Sequence, residues 1–121
     1  IRGGAEYFVK QWERLPKTIT EPDRSWFALA AYNVGFGHLQ DAWQVADWQG
    51  NDPTRWTNVS KTLPLLASKK WYPFLSHGYA RGWEPVIYVN NIRSYYDILT
   101  SIIDREESVA RLELINISDE L

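Results

Sequence analysis

The chain has 121 residues, 45% hydrophobic and 23% charged, with a formal net charge of −2. That is the size and balance of one globular domain with a single core, and it excludes a disordered tail, a collagen-like repeat and the basic stripe of a nucleic-acid-binding face. No apolar run approaches the roughly 20 residues needed to cross a bilayer, so no membrane contact is expected from this segment, and the absence of cysteine excludes disulfides, thiolate nucleophiles and cysteine-ligated zinc. The absence of methionine in a chain that opens at Ile1 implies a piece of a longer protein.

From Ile1 the apolar positions Ile1, Ala5, Phe8, Trp12 and Leu15 draw one stripe on a helix that Pro16 ends. Thr20, three residues before Asp23 and with Pro22 between them, reads as the start of a second helix running through Trp26 to Asn33. It is apolar nearly all round and is expected to be the buried central helix, closed by Asn33 and Gly35. A third helix is predicted from His38 to about Trp48, with Leu39, Ala42, Trp43 and Ala46 inward and Gly50 as its stop. Asp52-Pro53 opens a short element carrying Trp56 and Val59, and Pro64 starts another over Leu65 to Lys70. Trp71 to Trp83 reads as a long loop. Glu84-Pro85 then begins the strongest helix, with Val86, Val89, Ile92, Tyr96, Leu99 and Ile103 on one face. Strand-like alternation never persists, so the fold class is all-α. Residues 1–103 carry 11 basic and 9 acidic side chains and residues 104–121 carry 2 and 6, a change from +2 to −4 that divides the chain into a domain and an acidic C-terminal tail.

Little of the usual catalytic inventory is visible. His38 and His77 stand in loop-like or helix-start settings and read as exposed or capping residues, so no metal site is expected. Gly35-Phe36-Gly37 lacks the lysine and preceding strand of a phosphate loop, and no serine sits in a nucleophile elbow, so no nucleotide or other cofactor is expected. The carboxylates, Asp41 and Asp47 among them, mostly read as solvated helix faces or caps. Glu84 beside Trp83 could act as an acid held in an apolar setting, but a first-turn carboxylate is equally a partner of the helix dipole. Seven Trp and seven Tyr combine apolar faces with polar handles and suit sugar rings as well as cores. Two aromatic-polar groups remain: Tyr32 with Asn33 at the exit of the central helix, and Tyr79, Trp83, Tyr88, Asn91 and Tyr95 around the start of the last helix.

Three segments carry a resemblance. Ala31-Tyr32-Asn33-Val34-Gly35 resembles the Ala-Tyr-Asn-x-Gly motif of the lytic transglycosylases with the goose-type lysozyme fold. The run from Tyr79 to Tyr96, with its Gly-x-Glu-Pro-Val and Asn-Ile-Arg pattern, is similar to the segment that places a tyrosine of that family, here Tyr88. Ile1-Arg2-Gly3-Gly4-Ala5 resembles the start of the helix before the first motif.

The resemblance covers residues 1 to about 100 and implies the C-terminal portion of a lysozyme-like helical domain acting on peptidoglycan glycan strands. In that family a glutamate protonates the bond between N-acetylmuramic acid and N-acetylglucosamine, then takes the proton of the muramic C6 hydroxyl to leave a 1,6-anhydro sugar. The resemblance implies that Tyr32 and Asn33 bind the muramoyl sugar and that Tyr88 hydrogen-bonds near the glutamate. It further implies that this glutamate lies upstream of Ile1, so the isolated chain is expected to be inactive and, lacking the N-terminal half of the domain, to self-associate. A periplasmic parent attached to the outer membrane is implied as well. The rival readings are an aromatic glycan-binding module without catalysis and a helical protein-interaction fragment.

Overall fold

The computed structural model describes residues 2–120, so Ile1 of the predicted stripe lies outside the described residues. The regular elements are helices: α1 (Arg2–Arg14), α2 (Asp23–Val34), α3 (Phe36–Trp48), α4 (Trp56–Thr62) and α5 (Trp83–Glu120), with 3-10 helices at Leu63–Ala67 and Tyr72–Phe74. The fold is all-α, as the periodicity implies. The chain divides into two compact units, residues 1–89 and residues 90–121.

The first unit is built around α2. Phe27, Ala28, Ala30 and Ala31 are fully buried, because small residues let α1 and α3 approach while Phe27 fills the space between them. Its ring meets Trp43 of α3 edge-on at 5.9 Å and Trp56 of α4 at 5.5 Å, and Phe36 closes on Trp43 at 5.7 Å. Burying such a ring contributes roughly 1.5–3 kcal/mol. Leu39, Val45, Leu63, Leu66 and Val89 complete the core. Thr62 donates to the Ala42 carbonyl at 2.8 Å, tying α4 to α3 with a satisfied buried hydroxyl.

Polar groups set the joints. The Arg24 guanidinium is buried and donates to the carbonyls of Trp12 (2.7 Å), Pro16 (2.9 Å), Ile19 (3.1 Å) and Leu15 (3.3 Å), while its carbon lies 4.2 Å from the Trp12 ring centroid. One cation thereby closes the C-terminus of α1 and the turn that follows. The start of α2 differs from the sequence expectation: the carboxylate of Glu21, not the Thr20 hydroxyl, accepts from the Ser25 N–H at 2.7 Å. Asp23 accepts from the Trp56 N–H at 3.2 Å, so it serves the first turn of α4. Asp52 accepts from both the hydroxyl and the N–H of Thr54, which hold its carboxyl below the usual carboxylate range.

Two expectations shift in detail. The helix predicted over Leu65 to Lys70 is a 3-10 turn over Leu63–Ala67, and the long loop contains the short 3-10 turn Tyr72–Phe74. The acidic segment continues α5 as helix. In the second unit every described side chain is exposed except the half-buried Ile92, so the apolar face predicted through Tyr96, Leu99 and Ile103 is buried only as far as its first turns.

Candidate functional site

The exit of α2 presents the first pair of expected residues. Tyr32 and Asn33 are exposed on the last turn of a helix in which Phe27, Ala28, Ala30 and Ala31 are fully buried, so both side chains stand on a rigid support. The cap is made by the backbone: Gly35 takes φ 96° and its N–H donates to the Ala31 carbonyl at 2.9 Å. That left-handed region is where glycine is tolerated without strain. The Asn33 amide is therefore not the cap.

Tyr32 is held from α1. Its ring lies 5.5 Å from that of Tyr7 at 59°, and a Cβ on Gly4 would come 3.1 Å from its hydroxyl. Gly4 is thus the space into which the Tyr32 hydroxyl reaches, and Tyr7 is the flanking wall. Tyr7 is not among the residues expected from the sequence. Its signal is the spacing Gly4-x-x-Tyr7, which puts both on the α1 face that meets α2.

Tyr88 occupies the second turn of α5, half-buried beside the fully buried Val89. The start of this helix is fixed by contact with the 3-10 turn at Leu63: Gly82 is buried so closely that an added Cβ would fall 1.6 Å from the Leu63 carbonyl oxygen. Glu84 is exposed and paired with Arg81 at 3.3 Å, the setting of a helix-start carboxylate and not of an acid in an apolar pocket. Tyr79, expected in the same aromatic group, packs its ring edge-on against Tyr72 at 5.6 Å.

A third arrangement departs from the sequence reading. Asp41 is buried at 4% exposure, not a solvated face residue, and it is the one buried carboxylate among the described residues. Its Oδ2 accepts from the His77 N–H at 2.9 Å and its Oδ1 lies 3.2 Å from His77 Nδ1. An ionised carboxylate only accepts, so Nδ1 is the donor of this pair. The His77 ring passes over Gly37, where a Cβ would be 2.6 Å from it, and meets the His38 ring edge-on at 6.1 Å. His77 is therefore a paired residue that pins the 74–79 loop to α3. His38 and Asp41, three apart on one helix, are the local signal; the 36-residue separation to His77 is why the pairing was not read. Beside it opens a cavity of about 350 Å³, lined by Gln40, Gln44, Trp48, Phe74, Asp41 and His77 among others.

No family model matches the chain. It is 59% identical over 104 residues to the membrane-bound lytic murein transglycosylase F of Marinobacter nauticus, covering 86% of this chain and 21% of that protein. The protein of the same name from Ectopseudomonas mendocina is 59% identical over 100 residues, 83% of this chain and 20% of its own length. That of Stutzerimonas stutzeri is 51% identical over 117 residues, 94% of this chain and 24% of its own. The chain spans about a fifth of the length of the curated relatives it matches.

Proposed function

We propose that this chain, homologous over most of its length to one segment of the lytic murein transglycosylases, supplies the glycan-holding part of a peptidoglycan-cleaving active site in the cell envelope. The observation that carries the reading is Tyr32-Asn33, side by side and exposed at the end of a buried helix, within a sequence shared at 59% identity with proteins so named. A phenol and an amide on a rigid mount can orient a sugar without reorganising. On this reading both orient the sugar, and neither is the proton donor. The paired, exposed Glu84 and the His-bound Asp41 are equally unsuited to that role. On this reading the acid is contributed by a part of the parent upstream of these residues, and the chain alone releases no anhydro-sugar product. Tyr88 hydrogen-bonds the acid and orients it.

The test uses the chain joined to the upstream segment of a relative, with purified peptidoglycan as substrate. Tyr88→Phe keeps the ring and removes one hydroxyl, and it is expected to lower the release of 1,6-anhydromuropeptides by roughly ten- to a hundredfold, as for a lost transition-state hydrogen bond. Unchanged turnover would make Tyr88 a packing residue. Asn33→Ala is expected to leave the melting temperature within a degree or two, since the backbone caps α2, and to weaken oligosaccharide binding by about 1–3 kcal/mol. A lowered melting point with unaltered titration would remove Asn33 from the site. Glycan binding without anhydro product from the joined protein would favour a non-catalytic binding module.

A further inference from the structure

We propose that the cavity on α3 is a second glycan-binding site, selective for an uncharged N-acetylated amino sugar; this rests on the reading that the chain handles peptidoglycan strands. Gln40 and Gln44 stand one turn apart on α3, so their amides project along the same edge of the cavity, and Trp48 follows one turn later. Trp48 is half exposed, and its orientation is set by the near-parallel ring of Trp71 at 6.3 Å and 18°. Phe74, 74% exposed, lines the same cavity from the segment that the Asp41–His77 bonds fasten to α3. Two exposed rings in a cleft edged with amides match a pyranose, which has apolar C–H faces and a rim of hydroxyl and acetamido groups.

The size agrees. About 350 Å³ is at the small end of ligand sites, room for one or two sugar rings and not for a long strand. The charge selects further. Asp41 is buried with both oxygens bonded by His77, and it is the one carboxylate in a lining that holds neither lysine nor arginine. A carboxylate-bearing ligand such as a muramoyl peptide meets repulsion in this partly desolvated cleft, whereas hydroxyl and amide donors are accepted. The preferred ligand is therefore the N-acetylglucosamine type of residue, at a place separate from Tyr32 and Asn33.

The experiment is an amide NMR titration of the 121-residue chain with tetra-N-acetylchitotetraose, repeated with muramyl dipeptide as the anionic probe. Perturbation of residues 40–48 and 74–77 is expected with the neutral probe. Trp48→Ala should weaken that binding tenfold or more and Gln44→Ala about threefold, with Asn33→Ala leaving the 40–48 shifts in place. Trp48→Ala and Gln44→Ala, both at exposed positions, are expected to keep the parent's melting temperature within a few degrees, which thermal melts check. Shifts confined to residues 31–35 would overturn the second site and leave the glycan reading standing. Absence of shifts at both places would overturn both. Equal or tighter binding of muramyl dipeptide in the cavity would overturn the selectivity for uncharged sugar.

Discussion

Replacing Arg24 with leucine is expected to destabilise the first unit by about 2–5 kcal/mol, the cost of losing charge-assisted hydrogen bonds and leaving buried carbonyls without a donor. The reason lies in what is left behind. Four carbonyls accept from this guanidinium within 2.7 to 3.3 Å; without it those of Trp12 and Pro16 keep the N–H groups of Leu15 and Ile19 as donors, at 3.4 and 3.1 Å, whereas the buried carbonyls of Leu15 and Ile19 lose theirs. Each buried carbonyl left without a donor costs about 1–3 kcal/mol, reduced where water can enter. Arg24→Lys keeps the charge, but its compact ammonium cannot fork between carbonyls on both sides of the turn or lie flat on Trp12. It should recover less than half of the loss. Chemical denaturation of the three proteins measures this directly, and a leucine variant within 1 kcal/mol of the parent would mean that water replaces the guanidinium.

Arg24 also shows where sequence reading stops. Its partners are backbone carbonyls, and nothing in the identity of Trp12, Leu15, Pro16 or Ile19 announces that a cation will reach them. Helices α1, α2 and α3 were legible because apolar spacing and the breakers Pro16, Gly35 and Gly50 act locally. So was the exposed Tyr32-Asn33 pair, which follows a run too apolar to face water. By contrast Asp41 and His77 meet only because the 74–79 loop folds back on α3, and a contact across 36 residues leaves no periodic trace. The change of charge after residue 103 carries no backbone signal of its own. No glycine or proline interrupts the chain beyond Pro85, and α5 runs on to Glu120.

Gly82→Ala should be the most damaging single methyl that can be added, at about 3 kcal/mol or more. The added carbon would lie 1.6 Å from the Leu63 carbonyl oxygen and 2.4 Å from its carbon, and both are backbone atoms of a fully buried residue. No rotamer relieves such an overlap. Either the 3-10 turn at Leu63–Ala67 or the first turn of α5 must retreat by more than an ångström, which exceeds the usual cost of overpacking a core. Gly37→Ala is the instructive contrast. Its new carbon would meet the His77 ring at 2.6 Å, but that side chain is 46% exposed and can turn aside at the expense of its Nδ1 bond to Asp41 while the His77 N–H keeps its own, so about 1–2 kcal/mol is expected. The difference matters for function because Tyr88 lies on the second turn after Gly82. If α5 is the element that yields, Gly82→Ala moves the Tyr88 hydroxyl as well. The joined protein should then lose turnover at temperatures where circular dichroism still reports a fully folded chain, and the loss should approach that of Tyr88→Phe. Full turnover in a variant of lowered melting point would assign the movement to the Leu63 turn and leave Tyr88 in place.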